Sequence, residues 1–232
     1  PDGPTIQRLR AGSGRVVDLP SEFATRIPRV MQIIASARRS LHFARLYLEH
    51  PAPSGTIPSL SKLGEADANR VERHFHLMKS PNPINLLHQI DGIFLNMQTT
   101  LGYIPQGVIV AQDEPENHTD GRRMFSFEGG YHYRSNRDTQ DGLHLGSIYL
   151  CPLARTLLPE AFAYVMIHEL AHYTGPTEQG IIDHAYYHRE PDNYRNLSHY
   201  LAFHNADSYS QFAFDAIGKP NYNALSDTYG HP

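Results

Sequence analysis

Two histidines and a glutamate stand at the spacing of a metal site in His168-Glu169-Leu170-Ala171-His172, an HExxH motif. On an α-helix, residues four positions apart lie one turn above each other on the same face, so both imidazoles can reach one metal ion. Glu169 points off that axis but lies close enough to hold a water molecule at the metal. Zinc would lower the pKa of this water from about 15.7 to about 7, and Glu169 would take its proton. The motif therefore predicts zinc-dependent hydrolysis.

The residues around the motif favour the metal site over a chance match. Residues 161–167 read AFAYVMI and are apolar nearly all round, and Pro159 suits the first turn of a helix. A chance HExxH on a helix surface would be solvated and would have charged flanks. The apolar flanks instead predict a buried helix whose polar residues emerge at its C-terminal end.

Catalytic zinc sites commonly use three protein ligands, and three downstream residues are candidates for the third. Glu178 stands where the pattern HExxHxxGxxH places its last ligand, with Gly175 in the glycine position. Asp183 lies eleven residues after His172, and Glu190 lies eighteen after it. Spacing alone leaves these alternatives open.

At Asp183 the sequence resembles the aspzincin family of metallopeptidases, which includes deuterolysin and the peptidyl-Lys endopeptidases. The family follows HExxH with a GTxxDxxY signature, and residues 183–186 (DHAY) supply its DxxY part. Residues 148–152 (IYLCP) resemble the family strand before the active-site helix, and residues 205–209 match its NADSY segment. The resemblance covers about residues 65–215. It departs from the signature where Gln179 and Gly180 replace the glycine and threonine, and where Tyr187 replaces a glycine.

The resemblance implies roles for three further residues. Asp183 would be the third zinc ligand, and Tyr186 would donate a hydrogen bond to the oxyanion of the tetrahedral intermediate. Asp207 would lie in the substrate pocket, where Lys-specific members have a second acidic residue that is Ser210 here. A mild preference for Lys or Arg after the scissile bond follows from this pocket. Alternatively, Asp207 orients a metal-ligand histidine from behind.

Composition excludes several classes of protein. The 232 residues contain 20 Lys and Arg against 24 Asp and Glu, a net charge of -4, which gives no electrostatic reason to expect a nucleic acid or an anionic membrane as partner. No apolar run approaches the roughly 18 residues of a membrane span. The single cysteine, Cys151, cannot form an internal disulfide.

The pattern along the chain predicts an arm or linker at residues 1–20 and a single domain at residues 21–232. Apolar residues recur at helical spacing from Ile27 to Leu48, in residues 65–78 and from Asn85 to Met97. Short β-branched and aromatic runs in the middle third predict strands, and a last helix is expected over about residues 197–217. The expected fold class is α+β and zincin-like: a helical N-terminal part, and a small mixed sheet over the HExxH helix. An edge strand near residues 146–151 would be available to an extended peptide.

The function predicted from these features is that of a zinc metalloendopeptidase acting on a protein or peptide substrate. An inactive zincin-like module that holds a protein partner is the alternative, and a zinc hydrolase with a non-peptide substrate is a third. The lone cysteine and the arm-like start resemble secreted bacterial effector or toxin domains of this class. Such domains are carried in a longer polypeptide, such as a type VI secretion spike, and delivered into a target cell.

Overall fold

A computed structural model of the protein describes residues 16–18, 21–50, 58–102, 109–112, 130–133, 147–150, 154, 156–176 and 180–224. Within these residues the α-helices are α1 (Ser21–Ala24), α2 (Ile27–Glu49), α3 (Pro58–Phe75), α4 (Pro83–Gly102), α5 (Pro159–Thr174), α6 (Pro191–Arg195), α7 (His199–Phe203) and α8 (Ala206–Ala216). A short 3-10 helix, Leu77–Lys79, separates α3 from α4. Cys151, Glu178 and most of the predicted arm lie outside the described residues.

Helix α2 is the centre of the core, because it packs against α3, α4, α5 and α8. Its buried side chains follow the predicted helical spacing: Ile27, Val30, Ile33, Ile34, Ala37, Ser40, Leu41 and Ala44. Helix α5, which carries the HExxH motif, is buried on nearly all sides and packs against α2, α4 and α8. Its bounds match the predicted helix, and Pro159 stands in its first turn, where the missing N–H costs no helical hydrogen bond.

The expected α+β fold class is wrong. Helices make up most of the described chain, and the core is built mainly by helices packing on one another. The strand-like runs have the local composition of strands, but most of the apolar surface in the described residues is buried between helices, and helix-on-helix packing therefore sets the architecture.

Four short backbone segments do pair as strands, but in an arrangement that differs from the expected one. They are β1 (Val16–Asp18), β2 (Ile109–Gln112), β3 (Gly130–Tyr133) and β4 (Ser147–Leu150), in the order β1-β2-β4-β3. Strand β4 pairs in parallel with β2 and antiparallel with β3. Since both of its edges are occupied, β4 is not the expected edge strand for a peptide. Strand β1 pairs with β2, so part of the predicted arm is paired as well.

The last predicted helix, over residues 197–217, is broken in two. Helix α7 ends at Phe203 and α8 begins at Ala206, and Asn205 between them has an extended backbone. The N–H of Ile182 donates to His204 O at 2.9 Å, and the N–H of Ala206 donates to Ile182 O at 3.1 Å. In a continuous helix these backbone groups would bond within the helix. The break leaves them to pair with Ile182 instead.

None of the helices in the described ranges has both the length and the apolar character that crossing a bilayer requires.

A buried ionic cluster joins α8 to α3 and α6. Asp215 on α8 accepts hydrogen bonds from Arg73 and from His74 Nε2, the latter at 3.1 Å, while His74 Nδ1 lies 2.9 Å from the hydroxyl of Tyr194. Burial lowers the pKa of His74, so the ring is neutral at pH 7 and accepts from Tyr194. Burial alone would raise the pKa of Asp215, but the hydrogen bond from His74 and the charges of Arg73 and Arg70 outweigh it and lower this pKa.

We expect Asp215→Asn to lower the free energy of unfolding by roughly 1–3 kcal/mol at pH 7, because it removes the charged acceptor of the buried His74, whereas Arg73 is 48% exposed and stays solvated. A group with a depressed folded pKa contributes stability above its unfolded pKa and loses it as pH falls through the folded pKa. The difference between parent and variant should therefore be constant from neutral pH to about pH 5 and shrink below about pH 4. Urea unfolding across this range measures it.

Asp192→Asn is the matched control, because Asp192 pairs with Arg195 on the surface and its side chain is 88% exposed. Its effect should stay below about 0.5 kcal/mol. Equal effects of the two substitutions would contradict a stabilising role for the buried cluster.

Candidate metal centre

The two histidines of the motif converge at the C-terminal end of α5. Their ring centroids are 4.9 Å apart, and the Nε2 atoms of His168 and His172 are 3.2 Å apart. His168 is buried and His172 is half-buried, so the pair stands at the boundary between the core and solvent. This is the arrangement that the four-residue spacing predicts.

Asp183 completes a group of three. Its Oδ1 atom lies 3.0 Å from His168 Nε2 and 3.4 Å from His172 Nε2. Among the described residues these three form a group of side chains that could hold a metal ion. Glu178 lies outside the described residues, and Glu190 is an exposed residue at the start of α6. The structure thus brings together the three residues that sequence and resemblance assign to the metal.

The spacing of the three atoms fits a tetrahedral ion. Bonds of about 2.0–2.1 Å at tetrahedral angles place two ligand atoms about 3.3 Å apart. The three edges of the triangle here are 3.0, 3.2 and 3.4 Å. A proton can bridge only one pair of these atoms at a time, whereas a cation can bond all three. Two imidazole nitrogens and one carboxylate oxygen are also a donor set that zinc accepts.

The Nδ1 atoms of both histidines, which point away from the group of three, face oxygen atoms of the protein. His172 Nδ1 donates to the carbonyl of Ile181 at 2.7 Å, which leaves the lone pair of Nε2 facing the other two ligand atoms. His168 Nδ1 lies 3.8 Å from Oδ1 of Asp207. Metal-ligating histidines usually have a carbonyl or carboxylate in these positions, since the partner fixes the tautomer and the ring orientation.

Asp207 lies behind His168 rather than in an open pocket. It is 3% exposed, Oδ1 accepts from the hydroxyl of Tyr164 at 2.5 Å, and Oδ2 accepts from the N–H of Tyr187 at 2.7 Å. Both carboxylate oxygens are therefore occupied within the protein. Of the two roles that the sequence left open for Asp207, this position supports the orientation of His168. A substrate-binding role is not supported, and the expected preference for Lys or Arg loses its basis.

Glu169 and Tyr186 flank the three ligand atoms. Glu169 is buried, and its negative charge acts on both His168 and Tyr186. The ring of Tyr186 stacks on that of His168, with centroids 5.8 Å apart and planes 10° from parallel, and its hydroxyl hydrogen-bonds Asp183. Burial, followed by the charge and hydrogen bond of Asp183, raises the pKa of Tyr186 well above its ordinary value. The hydroxyl therefore stays protonated and is a donor.

The electrostatics of the group favour a positive charge at its centre. Burial lowers the pKa of His168, but the charge and hydrogen bond of Asp183 outweigh burial and raise the pKa to about 9. The same contacts with His168 and His172 overcome burial at Asp183 and hold the pKa of this carboxyl far below its ordinary range. A bound cation would supply this positive charge in place of a proton.

Asn205 holds the loop that carries Asp183. In the sequence it was recognised only as the first residue of the segment 205–209, with no role of its own. Its Oδ1 accepts from the N–H groups of His184 and Ala185 at 2.9 and 3.1 Å. Its Nδ2 donates to Ala185 O and to the hydroxyl of Ser208. All four hydrogen-bonding positions of a fully buried amide are thus satisfied. Because Asn205 serves the loop, it does not cap α8.

Gly175 permits the loop to approach α5. A Cβ atom at this position would lie 2.9 Å from both the backbone N and Cγ1 of Ile181, closer than real Cβ contacts. Ile181 is the residue whose carbonyl holds His172. The close approach of Ile181 to α5 therefore requires glycine at position 175. Through Ile181, the residue at this position also affects the orientation of His172.

We expect Gly175→Ala to lower zinc affinity about 10- to 100-fold, the usual effect of losing a partner that orients a ligand. The added methyl group displaces Ile181 and with it the acceptor of His172 and the adjacent Asp183. Competition against a chelator of known affinity measures the change.

Gly92→Ala is the matched control, since a Cβ at Gly92 in α4 meets nothing within 4 Å. It should leave zinc affinity unchanged and raise stability by roughly 0.5–1 kcal/mol, the gain from replacing glycine inside a helix. Unchanged zinc affinity in Gly175→Ala would show that the approach of Ile181 does not matter for the metal centre.

Comparison of the chain with protein-family models, with curated proteins and with solved structures finds no match.

Proposed function

We propose that the protein is a zinc-dependent endopeptidase of the aspzincin type, with His168, His172 and Asp183 as metal ligands. The observation that carries this proposal is the triangle of three ligand atoms with edges of 3.0, 3.2 and 3.4 Å beside Glu169 and Tyr186. Zinc bound there would polarise the scissile carbonyl and lower the pKa of a water molecule. Secretion, delivery into a target cell and placement in a longer polypeptide stay predictions from the resemblance alone.

The chain's own residues supply the proton transfers. Glu169 follows a ligand directly in sequence and is not one of the three ligands, so its carboxylate is available to accept a proton from the attacking water. The same group then donates this proton to the leaving amine. Burial of Glu169 suits this role, because a poorly solvated carboxylate is a stronger base than one in water.

Tyr186 and Asp207 act on the geometry and charge of the reaction. The protonated hydroxyl of Tyr186 beside Asp183 would donate to the oxyanion that develops on the oxygen of the scissile carbonyl. The carbonyl of Ile181 holds His172 from behind through a hydrogen bond of 2.7 Å, and the charge of Asp207, 3.8 Å from His168 Nδ1, would act on the other imidazole. These partners reduce the reorganisation needed during the reaction, which is how a fixed polar site stabilises a transition state.

The metal itself gives the first test. We expect one zinc ion per chain, and we expect Asp183→Ala to lower the affinity at least about 100-fold because one of three ligands is lost. Elemental analysis after dialysis and calorimetric titration measure stoichiometry and affinity. Glu178→Ala is the control, since it removes the other candidate ligand. Full zinc binding by Asp183→Ala, together with loss of zinc from Glu178→Ala, would reverse the assignment.

The general base gives the second test. Glu169→Gln should retain zinc and lose roughly 10²- to 10⁴-fold in kcat, because the amide cannot accept the proton. Digestion of a diverse peptide library, with zinc content measured on the same sample, checks both parts. Glu190→Gln, at an exposed glutamate of α6, should behave as the parent.

Three outcomes of this digestion distinguish the alternatives. Turnover by Glu169→Gln equal to that of the parent would refute the mechanism. A parent that binds one zinc but cleaves no peptide would favour the module that holds a protein partner. Cleavage of model esters without any peptide cleavage would favour a zinc hydrolase with a different substrate class.

A further inference from the structure

Arg189 is a cation at the edge of the metal centre. Its Cζ atom lies 5.1 Å from the centroid of the Tyr186 ring, and Arg189 is exposed to solvent. The same Tyr186 ring stacks on His168, so the guanidinium, the phenol and the imidazole follow one another outward from the metal ligands. The positive charge of Arg189 acts on Tyr186, where it opposes the effect of Asp183.

No side chain in the described part of the chain hydrogen-bonds to the guanidinium of Arg189. Within the described residues the guanidinium contacts the Tyr186 ring and forms no ion pair with a carboxylate. Six other arginines in the described ranges do pair with carboxylates: Arg29, Arg38, Arg45, Arg70, Arg73 and Arg195. The contact with the ring restricts the guanidinium without using its N–H groups. Less conformational entropy is therefore lost when a ligand binds to it.

The distance from the metal centre suits a substrate group near the scissile bond. A peptide in extended conformation advances about 3.3–3.6 Å per residue. The two ring contacts place the guanidinium within the length of about three such residues from the His168 ring. Asp207, the acidic residue expected to attract a basic side chain, is buried and occupied by Tyr164 and Tyr187. The available fixed charge at this edge is thus positive.

We infer that Arg189 is a specificity residue that binds a carboxylate of the substrate close to the scissile bond. A planar guanidinium can donate two parallel hydrogen bonds to a carboxylate, which favours this group over a neutral amide of the same shape. The carboxylate belongs either to a Glu or Asp side chain or to the C-terminus of a peptide. The inference rests on the proposed function, because only a peptidase has a scissile bond in its substrate. The binding of a carboxylate can nevertheless be measured without cleavage.

The cleavage experiment uses the zinc-loaded chain and peptides that differ only in one residue, Glu, Gln or Lys, at each position around a common cleavage site. Each peptide is made with a free and with an amidated C-terminus, which separates the two sources of carboxylate. We expect the parent to prefer the carboxylate in one of these places by roughly tenfold or more in kcat/KM. Arg189→Gln should reduce that preference to within about twofold, and Arg189→Glu should shift it towards Lys.

Arg195→Gln is the control, because Arg195 is an exposed arginine of α6 that pairs with Asp192. It should keep the preference of the parent. A preference for carboxylate that is equal in the parent and in Arg189→Gln would overturn the inference, and so would a parent that prefers Lys or shows no charge preference.

The binding experiment separates this inference from the proposed function. Zinc-loaded Glu169→Gln, with and without Arg189→Gln, is titrated with the same fluorescently labelled peptides, and Kd is measured by anisotropy. A carboxylate preference that depends on Arg189 supports the inference even if the parent cleaves nothing, and the endopeptidase proposal then fails by itself. Cleavage without an Arg189-dependent preference in either experiment overturns the inference alone. Neither cleavage nor such a preference overturns both.

Discussion

Close packing of residues 181–185 against the C-terminal end of α5 is the contact on which the metal centre depends. Two of the proposed ligands, His168 and His172, belong to the helix, and the third, Asp183, belongs to the segment. The hydrogen bond from His172 to Ile181 and the absence of a side chain at Gly175 bring the two parts together. A helix alone can align two imidazoles, but it cannot supply a third ligand on the open side of the ion.

The segment is held on its other side by the break between α7 and α8. Backbone hydrogen bonds join Ile182 to His204 and Ala206, and the buried amide of Asn205 binds the N–H groups of His184 and Ala185. Two residues later, Asp207 reaches both Tyr187 and the back of His168. The start of α8 therefore positions the ligand loop and one of the ligand side chains together. Since these polar groups are buried, each lost partner would leave an unsatisfied group at a cost of about 1–3 kcal/mol.

Helix α8 is itself anchored at its far end. Asp215 binds Arg73 and His74 of α3, and His74 contacts Tyr194 of α6. Between the two ends, Tyr209 and Phe212 pack against Phe75 and Phe94. The site is thus supported by one helix that is fixed by ions at one end, aromatic rings in the middle and an amide at the other end. Rigid support of this kind keeps ligand atoms in place before a metal binds.

Those features of the site that lie within one helix or one short segment could be predicted from the amino-acid sequence. The spacing of His168 and His172 on α5 follows from the pitch of the helix, and the apolar residues before them determine that α5 is buried. The resemblance around Asp183 also identified the third member of the group. Helix α2 could be located from its periodicity, because its buried residues recur at helical spacing.

The fold class, the burial of Asp207 and the hydrogen bonds of Asn205 follow from tertiary packing and not from any local pattern. Strand composition is a local property, whereas the fold class depends on which surfaces bury one another, and in the described chain these are helical. An aspartate in a segment reads the same whether it faces solvent or a histidine. Its burial, and the interruption of the last helix at Asn205, arise from contacts with residues about 20 positions or more away, such as Ile182, Tyr187 and Tyr164. No local pattern contains such contacts, because they exist only after the chain has packed.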